Sequence, residues 1–351
     1  MTSLPRATIH LDNVADNWRA LNALHPTSET AAVVKADAYG LGAPAVSRAL
    51  VRAGCKTFFV AYLEEGITLR RALGGQPDIF VLNGPRDAEI SAYAEHRLFA
   101  VLSTPEHIAL WHNAPESTCA LHYETGMNRL GIRNDDPSFH ADTLKALSPR
   151  LVMSHLACAD APEHPLNSVQ KIRFDAICRA HPDIPKSLAN SAGCFLGSAY
   201  AYDLLRPGIA LYGGGTSLTD IPLKHAVTLE ASIISVFEAN AGEHVGYGAT
   251  HTLMQNTLLA TVNLGYADGI LRAGSHTLVA YANNTACPVI GRVSMDLITI
   301  DVSKAHSAIK AGDHVEFLGP NAKLDDQAAR AGTLSYELLT GLSNRVQRIY
   351  A

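Results

Sequence analysis

The stretch AAVVKADAYGLGAPAVSRALVRAGCKTFFVAY (31–62) decides the fold class. It begins with an apolar run, continues with an amphipathic helical pattern over 43–54, and ends in a second apolar run, FFVAY (58–62). Pro44 near the start of the helical pattern and Gly54 just beyond its end are typical of helix boundaries. The order strand, helix, strand predicts two parallel strands joined by a crossover helix.

The same alternation continues to about residue 215. Helical patterns such as 63–73 and 85–96 separate most of the apolar runs. The eight runs are AAVVKA (31–36), FFVAY (58–62), DIFVL (78–82), LFAVL (98–102), CALHY (119–123), LVMSHLA (151–157), KSLANS (186–191) and GIALYG (208–213). Eight is the number of parallel strands that closes a TIM-like (β/α)8 barrel, and an open doubly wound sheet is the alternative that periodicity alone does not exclude. We expect the α/β barrel.

The sequence pattern changes near residue 222. The later segments are rich in Val, Thr, Ile and Leu and are separated by Gly, Asn and Pro, which predicts strands. These segments are HAVTLEASIISVFE (225–238), TLLATVNLGY (257–266), HTLVAYAN (276–283), CPVIGRV (287–293), DLITIDV (296–302) and DHVEFLG (313–319). We therefore expect a barrel domain over 1–222 and a C-terminal all-β domain over 223–351, closed by a helix over 335–346. The early strand-like segment ATIHLD (7–12) is a candidate to pair with the β domain.

Composition excludes several classes of partner. The 351 residues include 28 Lys and Arg against 33 Asp and Glu, and charged residues make up only 17%, which argues against nucleic acid. No apolar stretch approaches the roughly 18 residues that span a bilayer, so no membrane partner is expected. The first residues hold no signal-like apolar region, which predicts a cytoplasmic protein. The six scattered cysteines lack a C-x-x-C pair, so we expect buried thiols and no metal site.

A barrel places functional residues at the C-terminal ends of its strands. Lys35 ends the first run, where poor solvation suits Schiff-base chemistry with an aldehyde, although the placement alone favours a lysine that reaches into water. Asn190 and Ser191 follow the seventh run, and RPGIALYGGG (206–215) follows residue 205. Hydroxyl and backbone N–H groups behind strands seven and eight form a common barrel phosphate site, while ordinary turn chemistry is the alternative. A lysine and a phosphate cradle together are what pyridoxal phosphate requires.

Other candidates are weaker when judged from the residues alone. Arg206 precedes the last run and His155 lies within the sixth; a buried arginine needs a partner, which is either a cofactor nitrogen or an ion pair. Arg129, in TGMNRLG (125–131), either grips a carboxylate or lies solvated in a loop. Residue patterns do not mark four later positions as catalytic, since tyrosines in β domains usually pack. These positions are Tyr247, Tyr266, Met295 and Tyr336.

Nine motifs closely resemble those of the pyridoxal-phosphate-dependent alanine racemases. They occur in family order and cover nearly the whole chain. The motifs are AVVKADAYGLG (32–42), YETGMNRLG (123–131), SHLACAD (154–160), NSAG (190–193), LRPGIALYGG (205–214), GYGAT (246–250), LGYADG (264–269), GRVSMD (291–296) and YELLTGLSNRV (336–346). The resemblance implies a head-to-tail homodimer in which the β domain of one subunit completes the active site of the other.

The resemblance also implies a role for each matching residue. Lys35 holds pyridoxal 5'-phosphate as a Schiff base, and Tyr247 of the partner subunit is the second acid/base. The resemblance implies that the phosphate is bound by Tyr39, Ser191, Tyr336 and the backbone of Gly208 and Ile209, and that Asn190 contacts the cofactor. It implies that Arg206, bonded to His155, faces the pyridine nitrogen. It also implies that Arg129 and the backbone of Met295 bind the substrate carboxylate and that Tyr266 lines the entryway.

The implied reaction is two-base interconversion of L- and D-alanine, a small amino-acid substrate, which provides D-alanine for peptidoglycan. The alternatives are a broader racemase, a related barrel decarboxylase and a cofactor-binding protein without turnover. Tyr247 and TGMNRLG favour a racemase over the decarboxylase, and relatives that only bind the cofactor lack the β domain. Motifs do not reveal substrate breadth, dimer affinity or a biosynthetic as against a catabolic role. One departure is His122, where many members carry a carbamylated lysine. We therefore expect substrate affinity to depend less on dissolved carbon dioxide.

Overall fold

The computed structural model describes residues 4–75, 77–114, 118–133, 144, 147–215, 218, 220–305 and 308–351. The chain divides into two compact units. The barrel unit comprises 15–211 and 215–223, and the β unit comprises 1–14, 212–214 and 224–351. The boundary expected after residue 222 lies close to this division, whereas the residues up to Val14, which were expected with the barrel, group with the β unit. Strand β1 (Arg6–Ile9) pairs within the sheet of the β unit instead.

Parallel strands form the centre of the barrel unit. Seven of them, β3 to β9, make one sheet in sequence order. The strands of this unit are β2 (Glu29–Thr30), β3 (Ala32–Val33), β4 (Thr57–Val60), β5 (Asp78–Val81), β6 (Phe99–Leu102), β7 (Cys119–His122), β8 (Leu151–Met153), β9 (Lys186–Ser187) and β10 (Leu204–Leu205). β4, β7 and β8 are buried throughout, because a parallel sheet is covered on both faces, and this burial explains their continuous apolar runs.

The eighth predicted strand is misplaced by a few residues. The run GIALYG (208–213) does not form a strand; Ile209–Tyr212 is a 3-10 helix, and β10 lies just before it. β10 pairs in parallel with β2, and the N–H groups of Asp203 and Arg206 bond the carbonyls of Lys186 and Ala189 at 3.1 and 3.0 Å. Since β2 and β3 are successive parts of one strand position, these bonds close the ring of eight. Pro207 ends β10, because proline has no N–H for the ladder.

Helices follow the strands of the barrel as predicted. The patterns over 43–54 and 63–73 are helices α3 and α4, whereas the pattern over 85–96 is a 3-10 turn (Asp87–Glu89) followed by α5. Among the described residues up to 180, the helices with defined bounds are α1 (Leu11–Leu24), α2 (Lys35–Gly40), α3 (Ala43–Ala53), α4 (Leu63–Leu73), α5 (Ile90–Glu95), α6 (Pro105–Trp111) and α7 (Pro165–Ala180). Within the described ranges, no helix has both the length and the apolar character that a membrane span requires.

The β unit is built around the long strand β11 (Val227–Ala239), which pairs antiparallel with three neighbours. Its other elements are β12 (His244–Val245), β13 (His251–Thr252), β14 (Thr257–Val262), β15 (Val279–Ala282), β16 (Thr285–Pro288), β17 (Ile298–Asp301), β18 (His314–Leu318), α8 (Leu324–Arg330), α9 (Ser335–Thr340) and β19 (Gln347–Tyr350). Five of the six predicted segments contain their strands, whereas CPVIGRV (287–293) is strand only at Cys287 and Pro288, where β16 ends. The predicted pairing of ATIHLD is also confirmed, since Ala7 faces Leu229 and Ile9 faces Val227.

The closing helix is shorter than predicted. α9 ends at Thr340, and the chain then returns as β19, which runs parallel to β1. Gly341 at the end of α9 approaches Gly269 so closely that a Cβ on Gly269 would collide with the Gly341 carbonyl. The chain turns at this close approach, so α9 ends before Arg345.

Candidate active site

The left-handed turn after Lys35 is the most unusual backbone feature of the barrel unit. Ala36, Asp37, Ala38 and Tyr39 all have φ between 51 and 57°, although none is glycine. This conformation costs roughly 1–2 kcal/mol per residue for L-amino acids. Strain of this kind persists only where surrounding contacts hold it, and it is typical of functional sites. The turn directs the chain sharply away from β3 immediately after the lysine.

The amine of Lys35 is poorly solvated. Burial lowers the pKa of Lys35, and the nearby Arg129 guanidinium lowers it further, while the Glu65 carboxylate acts in the opposite direction. A lowered pKa increases the fraction of neutral amine, which is the form that attacks an aldehyde or accepts a proton. The structure therefore favours the reactive interpretation of this lysine over a solvated strand-end lysine.

Arg206 is buried at the end of β10, with only 4% of its surface exposed. Its guanidinium donates to the Ser187 hydroxyl and to the Ser154 carbonyl. No carboxylate of the described chain forms an ion pair with it, and burial lowers its pKa to about 10. A charged arginine without an acidic partner fits a site that receives an uncharged ring nitrogen or an anion.

Two histidines beside Arg206 are neutral. Burial, and then the Arg206 guanidinium, lower the pKa of His122 to about 4 and hold that of His155 well below its usual value. Lys35 and Arg129 also influence His155, so these five side chains form one cluster. The hydrogen bond expected between His155 and Arg206 is not among the bonds of the described residues, and it stays a prediction.

The predicted phosphate residues meet where the chain follows β9 and β10. The Ser191 hydroxyl accepts the N–H groups of Gly208 at 2.8 Å and Ala210 at 3.3 Å. A Cβ on Gly208 would overlap the Tyr39 hydroxyl, so only glycine permits this approach. Ile209 begins the 3-10 helix directly after the cradle. A serine hydroxyl, a phenol and main-chain N–H groups in one place are the donors that a phosphate needs.

Asn190 holds the loop beside this cradle. Its side-chain amide donates to the Leu156 carbonyl at 3.3 Å and accepts the N–H of Gly193 at 2.9 Å. Both ends of the amide therefore contact the chain, and its expected contact with the cofactor stays a prediction.

The segment that carries Arg129 is organised around Glu124. The Glu124 carboxylate accepts the N–H groups of Gly126 and Arg129, and Asn128 adopts a φ of 54° within the same loop. Burial acts to raise the pKa of Glu124, but the surrounding N–H groups outweigh it and the pKa is lowered. The exposed Arg129 side chain therefore lies on a loop that is wrapped around the Glu124 carboxylate. The sequence alone did not reveal this role of Glu124.

The other four predicted residues lie in the β unit with exposed side chains: Tyr247 73%, Met295 53%, Tyr336 44% and Tyr266 42%. Two of them are brought together, because the N–H of Tyr266 bonds the Ser294 carbonyl and that of Ala267 bonds the Met295 carbonyl, both at 3.0 Å. Tyr247 begins a short turn in which Gly246 and Gly248 have φ of 73 and 76°. Tyr336 lies in the first turn of α9.

An ion-pair network that was not predicted fixes these loops. The buried Asp268 accepts the Gly265 N–H at 2.8 Å and pairs with Arg345 at 3.1 Å. Arg345 also donates to Asp296 at 2.8 Å. These residues lie inside the quoted motifs GYADG, GRVSMD and SNRV. The charges of opposite sign in these motifs were the one sequence feature that could have indicated an ion-pair network. Of the described residues, no group of three or more His, Cys, Asp or Glu could hold a metal ion.

An eight-stranded barrel with a poorly solvated lysine, a phosphate cradle and an unpaired buried arginine defines a barrel enzyme built for an aldehyde cofactor. The family models for the alanine racemase N-terminal domain and C-terminal domain match residues 9–216 and 226–350. The chain therefore belongs to the alanine racemase family, which consists of pyridoxal-phosphate-dependent isomerases.

Individual relatives agree over the full length. The catabolic and the biosynthetic alanine racemases of Agrobacterium fabrum are each 42% identical to the chain, over 98% of it and over 91% and 93% of their own lengths. The structure of alanine racemase from Bartonella henselae with covalently bound pyridoxal phosphate matches with a TM-score of 0.94 and 33% identity, over 100% of both chains. These findings confirm the predicted fold class.

Proposed function

We propose that this protein interconverts L- and D-alanine, with pyridoxal 5'-phosphate attached to Lys35. The observation that carries the proposal is the cluster at the end of the barrel strands, in which the poorly solvated Lys35 lies near Arg129, His155 and Arg206. When bound, the cofactor withdraws electrons from the substrate Cα and so acidifies its proton. Tyr39, Ser191 and the backbone of Gly208 and Ile209 hold its phosphate, and Tyr336 adds a further contact. Asn190 lies beside the same group.

The residues present fit this cofactor. Arg206, with His155 nearby, would face the pyridine nitrogen, and since an arginine retains its proton, it would leave that nitrogen unprotonated. His155 is neutral, so the positive charge of this pair belongs to Arg206 alone.

Two bases on opposite faces of the substrate carry the proton in each direction. Lys35 acts on D-alanine and Tyr247 on L-alanine. Tyr247 comes from the β domain of a second copy in a head-to-tail homodimer, and its 73% exposure within the single chain is consistent with a role outside it. The exposed Arg129 and the backbone of Met295 bind the substrate carboxylate, and Tyr266 lines the entry route. The domain roles are thus cofactor binding by the barrel and completion of the partner's site by the β domain.

The metabolic role that we propose is the supply of D-alanine for peptidoglycan in the cytoplasm. The catabolic and biosynthetic relatives are equally similar in sequence, so identity does not choose between the two roles. A comparison of cells with and without the gene, with and without added D-alanine, tests it: dependence of growth on D-alanine supports supply for the cell wall.

The direct test is chemical. The protein purified with pyridoxal phosphate should be yellow, should lose its visible band on borohydride treatment and should convert L-alanine to D-alanine. Lys35→Ala should lose the band that borohydride bleaches. A panel of L-serine, L-lysine and L-arginine separates an alanine racemase from a broader one. A colourless protein, or one that binds the cofactor yet interconverts none of these amino acids, contradicts the proposal.

A further inference from the structure

Glu65 contacts the backbone directly after the candidate cofactor lysine and the backbone at the end of the neighbouring strand. One carboxylate oxygen accepts the N–H of Ala36 at 2.7 Å, directly after Lys35. The other accepts the N–H of Ala61 at 2.7 Å and that of Tyr62 at 3.2 Å, where β4 ends and α4 begins. A single ionised side chain therefore joins the segment that follows β3 to the segment that follows β4. Hydrogen bonds to an ionised acceptor are stronger than neutral ones.

The segment that Glu65 holds is the left-handed turn over 36–39. The far end of this turn is fixed separately, because the Asp37 side chain accepts the N–H of Ala43 at 2.7 Å and its carbonyl accepts that of Gly42 at 2.8 Å. The near end is held by Glu65 at Ala36 and by one main-chain bond, from the Ala38 N–H to the Val34 carbonyl at 2.9 Å. Four consecutive non-glycine residues do not keep this conformation unless both ends are held. Loss of the near contact should therefore release the backbone that carries Lys35.

Glu65 is also close enough to act on the lysine electrostatically. Its negative charge favours the protonated amine and so opposes the lowering of the Lys35 pKa by burial and by Arg129. Replacement of the carboxylate by a neutral group should move the pKa of Lys35 to lower pH. Glu65 thus influences both the position and the protonation of the same amine.

We propose that Glu65 is a positioning residue for Lys35: its carboxylate pins the left-handed turn to the end of β4 and holds the amine in place for cofactor attachment. This inference deepens the proposed function and rests on Lys35 being the cofactor lysine. The glutamine variant Glu65→Gln keeps the shape of the side chain but leaves only one oxygen acceptor, so it can no longer bridge both segments.

The test compares Glu65→Gln with Glu64→Gln. Glu64 is exposed in the same first turn of α4, so its variant removes an equal charge without touching the turn. In hydrogen–deuterium exchange on the full chain, we expect the amides of 36–43 to exchange at least about tenfold faster in Glu65→Gln, because charge-assisted hydrogen bonds are lost. Glu64→Gln should match the wild type. After the cofactor has been removed, so that the Lys35 amine is free, the pH midpoint for its acetylation by acetic anhydride, read from the mass of its peptide, should fall only in Glu65→Gln.

A rescue variant separates positioning from a general loss of stability. Glycine adopts positive φ without strain, so Ala36→Gly in the Glu65→Gln background should return exchange over 36–43 toward the wild-type rate. Ala36 is exposed, so the change opens no cavity. Unchanged exchange and an unchanged acetylation midpoint in Glu65→Gln, or equal changes in Glu64→Gln, would overturn the proposal. Failure of the proposed function would look different, because the wild type itself would then form no visible cofactor band.

Discussion

At the scale of single residues, the different roles of the two proposed bases give the most specific prediction. Tyr247→Phe removes only a hydroxyl from an exposed side chain, so the protein should stay yellow and folded. The rate should fall by about 10²-fold or more, and more severely from the L side, because a positioned acid/base contributes about that much. Initial rates from pure L-alanine and from pure D-alanine provide the measurement. Tyr350→Phe, an exposed tyrosine of the same unit, is the control, and full activity of Tyr247→Phe in both directions would refute the two-base assignment.

His122 provides a prediction about acid stability. Its pKa is about 4 in the folded chain against an ordinary 6.5, because burial and Arg206 disfavour the charged ring. The unfolded chain therefore binds a proton that the folded chain refuses, and stability that is present above pH 6.5 is lost as the pH falls toward 4. This site alone should cost about 2 kcal/mol of unfolding free energy at about pH 5.

The variant His122→Gln removes the titration but keeps a polar side chain beside the Ser103 hydroxyl. Urea unfolding at neutral pH and at about pH 5 should show a smaller acid-induced loss in the variant, by about 2 kcal/mol. His155 is present in both proteins, and burial is the largest cause of its lowered pKa in each. Equal losses would show that the His122 ring takes up its proton in the folded chain as readily as in the unfolded one.

At the scale of elements, the approach of two loops at Gly208 sets the phosphate cradle. Gly208→Ala should weaken cofactor binding by about tenfold or more, because its Cβ would overlap the Tyr39 hydroxyl and push one loop aside. Fluorescence titration with pyridoxal phosphate measures the dissociation constant. Tyr39→Phe removes the nearest overlapping atom. Gly208→Ala should therefore weaken cofactor binding less in the Tyr39→Phe background than in the wild type. Strictly additive effects would show that the two positions do not meet.

Helix α7 ties together the strand ends that carry His155 and the Arg129 loop. The fully buried Gln170 accepts the Ala157 N–H at 2.8 Å and donates to the His155 carbonyl at 2.9 Å and the Thr125 hydroxyl at 3.2 Å. Gln170→Leu should cost about 2–4 kcal/mol in urea unfolding, because buried polar groups lose their partners. Ile172→Ala, exposed on the same helix, should change stability little. A similar loss of unfolding free energy in both variants would show that Gln170 does not tie these strand ends together.

At the scale of the whole molecule, much of the architecture could be predicted because buried parallel strands leave continuous apolar runs. FFVAY and LVMSHLA could be predicted as strands for this reason. The long β11 could be predicted because apolar and polar residues alternate along much of it. The eighth barrel strand was misplaced because β10 has only two residues, and the apolar run after it is a 3-10 helix. The left-handed turn at 36–39 could not be predicted, since no glycine marks it and tertiary contacts from Glu65 hold it. The roles of Glu124, Asp268 and Arg345 depend on contacts between distant segments, which local patterns do not encode.

The proposed sharing of the active site between two chains makes a prediction that only the assembly can test. A Lys35→Ala chain and a Tyr247→Phe chain carry their defects in different units. In a head-to-tail dimer of one chain with the other, one site receives both defects and the other receives neither. The mixed dimer, purified through a different tag on each chain, should therefore recover about half of the wild-type rate, although each parent dimer is nearly inactive.

The reciprocal dimer is the matched control. When both substitutions stand in one chain and its partner is wild type, each shared site receives one defect, and the dimer should be nearly inactive. If each site were instead built within a single chain, the two results would be exchanged: the first dimer would stay inactive and the second would retain about half of the rate. Because the same two substitutions are present in both dimers, loss of stability or of cofactor affects them alike, and the order of their activities assigns the second base to one chain or to its partner.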